Sequence, residues 1–175
     1  MGREKYNELI SCLEDDASVA KSISDEIVSK YTSELDGLMR RVNEDIIEGG
    51  DVPDTLLSSY LMELTNAMYF YGTKADELGM YADIAKSKSK ISYNKAYIEN
   101  QINNATKSKP TVAENQIYAE NTTIDENTVS LIYSRAVNIV KAKIDSAKEM
   151  IRTISKIISK RQSDERLSGI SGGVN

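Results

Sequence analysis

This 175-residue chain has no histidine and no tryptophan, a single cysteine, one phenylalanine and two prolines. Each absence excludes something. Without His there is no Ser–His or Cys–His nucleophile pair, and the Glu-x-x-His pairs of a di-metal helical bundle cannot be assembled. Cys12, being alone, forms no intrachain disulfide and is a poor start for a zinc site. No glycine-rich phosphate loop is present. Carboxylates do pair at helical spacing, as in Glu44 with Glu48 and Asp145 with Glu149. On one exposed face such pairs lack the burial that separates two pKa values for acid–base work. No apolar run approaches the roughly 18 residues of a membrane span. The opening Met1-Gly2-Arg3-Glu4-Lys5 lacks the apolar core of a signal peptide, and Tyr6 stands where a myristoylation signal has Ser or Thr. The expectation is a cytoplasmic, non-enzymatic protein with no cofactor, no metal and no membrane partner.

What remains is helix. A hydrophobic content of 40% and few helix breakers, three of the nine glycines lying in the last seven residues, predict an all-α class. Residues 3–14 predict a short helix with Tyr6, Leu9, Ile10 and Leu13 on one face. Asp15-Asp16 and Ser18 read as an interruption with cap oxygens. Val19, Ile23, Ile27, Tyr31, Leu35, Leu38, Val42 and Ile46 then recur at steps of four and three, an amphipathic helix of about 30 residues. Gly49-Gly50 ends it, and Asp51-Val52-Pro53-Asp54 marks a boundary with Asp54 as a cap.

The next helix should run from 54 to 104, roughly 75 Å at the α-helical rise. Leu57, Leu61, Leu64, Met68, Tyr71, Ala75 and Leu78 form a heptad seam. Beyond it the apolar phase slips to Tyr81, Ile84, Ile91, Ile98 and Ile102, with Lys88 and Lys95 within the new stripe. Gly72, Ala75, Gly79 and Ala82 make a small-residue row. Because helical glycine costs about 1 kcal/mol against alanine, Gly72 and Gly79 suggest close approach by another helix. After a polar turn at Thr106 to Lys109 and Pro110, residues 111–120 predict a short helix and Asn121 to Asp125 a loop. A last helix over 126–166 carries Tyr133, Val137, Val140, Ile144, Ala147, Ile151, Ile154 and Ile158 inward, and Lys141, Lys148, Arg152, Lys156 and Arg161 outward. There is no internal repeat and no strand signal.

The domain plan that follows is an acidic helical arm over 1–52, a long antiparallel helical hairpin over 53–167 with a linker at 105–125, and a disordered Gly/Ser tail over 168–175. So long a helix exceeds a compact 175-residue globule, so the expectation is an extended hairpin or a homo-oligomer, with helix packing or oligomer contacts through Leu57, Leu61, Leu64, Met68, Tyr71, Gly72, Gly79, Ile144, Ile151 and Ile158.

Charge is unevenly spread. Residues 1–54 carry a net −8 and residues 55–175 a net +3, while 86–109 hold six lysines against Glu99 alone. The stretch from Ile84 to Tyr97 reads I-A-K-S-K-S-K-I-S-Y-N-K-A-Y. Lys86, Lys90, Tyr93 and Tyr97 fall at steps of four, three and four on one helix face; Lys88 and Lys95 fall on another. Cations that track phosphates beside rings that stack on bases are what sequence-independent single-strand binding requires. The same residues also suit a tyrosine pair packed against the return helix, with lysines dressing a solvated coiled coil. Both readings stand at this level.

The block 54–166 resembles the UvsY family of recombination mediators of tailed phages. The resemblance rests on Asn66-Ala67-Met68-Tyr69-Phe70-Tyr71 in an opening helix and on the lysine-studded run Lys86 to Lys95 leading into Tyr97. A connector beginning Thr111-Val112 and a long closing helix complete it. It covers about two thirds of the chain and is one of composition and order. The resemblance implies an oligomeric ring that binds single-stranded DNA, contacts a single-strand-binding protein and helps load a recombinase. The DNA-contacting role falls by implication on Lys86, Lys88, Lys90 and Lys95, with Tyr93 and Tyr97 as stacking partners. The stretch lacks arginine, and the acidic residues 1–54 look like an addition to the family plan. The rival expectation is a structural or interaction protein, such as a helical virion component, an assembly chaperone or a host-defence inhibitor, working through its coiled-coil surface.

Overall fold

A computed structural model describes residues 2–47, 52–104 and 109–171. Among these residues the chain is all-helical, with four helices and no strand: α1 (Gly2–Ile47), α2 (Asp54–Asn103), α3 (Val112–Thr122) and α4 (Ile124–Ser171). The expected interruption at Asp15-Asp16 is not made. α1 passes straight through it, and the Ser18 hydroxyl donates back to the Asp15 carbonyl at 2.8 Å inside the helix. The loop expected at Asn121 to Asp125 shrinks to Thr123, whose φ of −113° and ψ of 19° bend the path between α3 and α4. Of the tail expected to be disordered, residues 168–171 continue α4. Gly49, Gly50, residues 105–108 and 172–175 lie outside the described residues, as do the side chains of Tyr6, Leu9, Ile10, Cys12 and Leu13.

The chain divides into two compact units. One comprises Met1–Ser29 with Asp76–Ile139, the other Lys30–Ala75 with Val140–Asn175. The long helices each contribute to both, so the Pro53 boundary, where the acidic arm was expected to end, joins two helices of one unit.

The second unit is built as the heptad pattern predicts. Leu35, Leu38 and Val42 of α1, Leu57, Leu64 and Tyr71 of α2, and Val140, Ile144 and Ile154 of α4 are buried. Leu61, Ile151 and Ile158 pack partly buried against that core. A fully buried leucine of this kind stabilises by about 1.5–3 kcal/mol. Polar contacts set the register. The Leu35 amide donates to the Tyr71 hydroxyl oxygen at 3.0 Å. Tyr60 donates to Asp45 in a short bond. Lys143 reaches Thr32 at 3.1 Å and Asp36 at 2.5 Å. Arg161, expected on the free face of α4, instead donates to Asp54 at 2.7 Å and to the Val52 carbonyl, tying the start of α2 to α4.

The first unit departs from expectation. The seam of α2 does not slip after Leu78; it keeps its three–four rhythm through Ala82, Ala85, Ser89, Ser92, Ala96 and Asn100, all buried or half-buried. Small side chains occupy these positions, so the apolar content moves off the seam while the geometry does not. Tyr81, Ile84, Ile91, Ile98 and Ile102, the expected continuation, are exposed. α1 repeats the lesson: Ser24 and Val28 are buried where Val19 and Ile23 were expected. The small-residue core is matched by polar pairs. Ser89 bonds Asn127 in a short contact, and the Asn100 amide donates to Asn115 at 2.7 Å. α3 is started by a full capping box, with the Glu114 amide donating to the Thr111 hydroxyl at 3.3 Å and the Thr111 amide donating to the Glu114 carboxylate at 2.7 Å.

Candidate nucleic-acid interface

All six candidate DNA-contacting residues lie on α2 within the first unit. The seam of Ser89 and Ala96 fixes which way the helix faces, and the rest follows from 100° per residue. Lys86 and Lys90, with Tyr93 and Tyr97, lie along one flank of the seam; Lys88 and Lys95 lie along the other. The four lysines are exposed, whereas Tyr93 and Tyr97 are half-buried. Lys95 forms an exposed i,i+4 pair with Glu99 at 3.8 Å, a contact worth little in water. Between Asp83 and Glu99 the helix has no carboxylate.

Opposite the seam runs what the sequence pattern had assigned to the interior. Ile84, Ile91 and Ile98, seven residues apart, form a narrow outward ridge between the two lysine flanks. Tyr81 and Ile84 also line a shallow apolar groove with Val129 and Tyr133 of α4; Lys88, Asp125 and Glu126 stand around it. The Tyr81 and Tyr133 rings tilt together there at 6.3 Å between centroids. The exposed ridge is legible in the sequence once the alanine–serine rhythm, rather than the isoleucines, is taken as the seam.

The residues expected to make helix packing or oligomer contacts are placed elsewhere. Leu57, Leu64, Tyr71 and Ile144 are buried within the second unit, and Leu61, Met68, Ile151 and Ile158 are half-buried in it. Gly72 and Gly79 are not at a close helix approach within the chain: a Cβ built on either meets nothing within 4 Å. Among the described residues no cluster of three or more Cys, Asp or Glu side chains could hold a metal ion, and no helix is long and apolar enough to cross a membrane. Comparison with protein-family models, with curated proteins and with solved structures finds no match to this chain.

Proposed function

We propose that the protein is a non-catalytic accessory factor of phage-type DNA recombination or replication, acting in the cytoplasm as a homo-oligomer that holds single-stranded DNA along α2. The observation that carries this reading is the run of four exposed lysines from 86 to 95 with no carboxylate among them. Lys86 and Lys90 supply phosphate contacts on the flank that also holds the half-buried Tyr93 and Tyr97, the combination of cations and rings that sequence-tolerant binding uses. A recombinase or a single-strand-binding protein is the partner class that this reading implies. The outward isoleucine ridge favours a second reading, an interaction protein whose work is done by helix-to-helix contact alone.

Fluorescence polarisation with labelled oligo-dT separates the two. Binding at about 50 mM salt, weakening with a log–log slope of roughly 0.7 per neutralised phosphate, supports the DNA reading. No binding at that salt, or binding unchanged in the triple variant Lys86→Ala, Lys88→Ala, Lys90→Ala, rejects it and leaves the interaction reading.

A further inference from the structure

The first unit buries Val28, Leu78, Ile132 and Val137 among small and polar side chains, and leaves most of its other large apolar side chains outside. Fourteen of the nineteen exposed large hydrophobic side chains among the described residues belong to it, against five in the second unit. Its buried positions include Ser24, Ser89, Ala96, Asn115, Ala119 and Ala136. A folded monomer seldom leaves more than a few hundred Å² of contiguous apolar surface to water. Exposed apolar side chains so concentrated in one unit, and in two regular rows, call for a cover.

Two exposed ridges in this unit share one period and carry opposite charge. On α2, Ile84, Ile91 and Ile98 are 48%, 67% and 53% exposed and are flanked by the four lysines. Across α3 and α4, Ile117, Ile124 and Leu131 are 58%, 61% and 70% exposed, again at steps of seven. Residues 111–134 hold Glu114, Glu120, Asp125 and Glu126 and no Lys or Arg. Helical hydrogen bonding crosses the Thr123 bend: its amide donates to Ala119 at 3.1 Å and its carbonyl accepts from Asn127 at 3.0 Å. The two ridges are about 21 Å long each at 1.5 Å per residue. Each is narrow, as a helix-pairing seam is, rather than the broad apolar face of a helix lying on lipid.

We infer that a second copy of this chain covers the first unit, the basic Ile84–Ile98 ridge of one copy seating on the acidic Ile117–Leu131 ridge of the next. It rests on the homo-oligomer part of the proposed function and not on DNA binding. Pairing the α2 ridge with itself sets lysines against lysines, so the contact is between unlike faces. Unlike ridges meet either reciprocally, closing a two-fold pair, or head to tail, in which case one ridge of each kind stays free and assembly continues until it closes on itself.

Light scattering on single-residue variants tests this. The wild-type chain should rise from its 19.4 kDa mass to that of two chains or more as concentration increases. Ile91→Asp, which spoils only the basic ridge, and Ile124→Asp, which spoils only the acidic one, should each stay at one chain mass. Mixed in equal amounts they should form a pair of two chains and stop there, because one intact ridge of each kind remains. Both substitutions are at exposed positions, so far-UV circular dichroism should be unchanged. If either variant misfolds, Ile98→Asp and Leu131→Asp, also at exposed positions of the two ridges, serve in the same mixing test. A wild type that stays monomeric at about 100 µM, above the Kd of a weak specific contact, overturns the inference. So do variants that assemble normally, or a mixture that stays monomeric. Oligo-dT binding read on the same samples shows separately whether the DNA reading stands.

Discussion

Tyr71 shows how a single side chain ties two helices in the second unit. Its ring fills a buried position on α2, and its hydroxyl oxygen accepts the Leu35 amide of α1. Tyr71→Phe keeps the ring and removes the acceptor, so it should destabilise by about 1 kcal/mol, the net value of such a bond. Tyr71→Ala also opens a cavity and should cost about 3–5 kcal/mol. Urea unfolding followed by circular dichroism distinguishes the two. Tyr60 adds a pH signature. Its hydrogen bond to Asp45, and then its burial, push its phenol above the ordinary tyrosine value, while burial first pushes Tyr71 up. A raised folded pKa means the neutral phenol is favoured by folding. That contribution is complete below the ordinary tyrosine value of about 10 and is lost as pH rises through the higher folded one. Tyr60→Phe should therefore lose stability at neutral pH and show a flatter alkaline decline. An alkaline limb as steep as that of the wild type counts against this assignment. At acid pH the sign reverses for Glu114, whose carboxylate is held below its ordinary value by the Thr111 amide and hydroxyl. The capping contribution is present above the ordinary carboxylate value and fades as pH falls through the lower one.

At the scale of the helix, α2 separates what pattern reading recovers from what it misses. Up to Leu78 the buried positions, Ala75 apart, are also the large apolar ones, and the three–four rhythm is visible directly. From Ala82 to Asn100 the rhythm persists in alanine, serine and asparagine, whose burial is stabilised by close packing and polar pairing rather than by apolar area. A reading that follows hydrophobicity moves to the isoleucines and so infers a slip that the helix does not make. The four lysines were legible because charge on a helix stays outward wherever the seam lies. How much of Tyr93 and Tyr97 faces outward was not, since it depends on the seam. The glycines misled in the same manner. Gly72 and Gly79 suggested a close approach, yet both have open space around them. Gly72→Ala and Gly79→Ala should each stabilise the chain by about 0.4–1 kcal/mol, through the restricted unfolded chain and the better helix former. Either substitution destabilising the fold in thermal unfolding refutes the open placement. Ala96→Leu, in contrast, overpacks the small-residue seam and should cost about 1–3 kcal/mol.

For the whole molecule, the question is how one helix could serve both DNA and a second copy. The isoleucine ridge divides its lysines into two flanks, Lys86 and Lys90 on one side and Lys88 and Lys95 on the other. The tyrosines lie on the first flank only. If each flank has its own ligand, the two pairs of lysines are separable. Lys86→Ala with Lys90→Ala should lower the salt slope of oligo-dT binding by about 1.4, two phosphate contacts at roughly 0.7 each, and leave the assembled mass unchanged. Lys88→Ala with Lys95→Ala should weaken assembly, which high salt should mimic because these charges are exposed and screened within about a Debye length of 10 Å at 0.1 M. It should alter DNA binding only as far as binding depends on several copies acting together, an effect that disappears with an oligonucleotide too short to span two copies. Equal losses of short-oligonucleotide affinity from both pairs would mean that DNA lies across the ridge itself, and the division into flanks would be wrong.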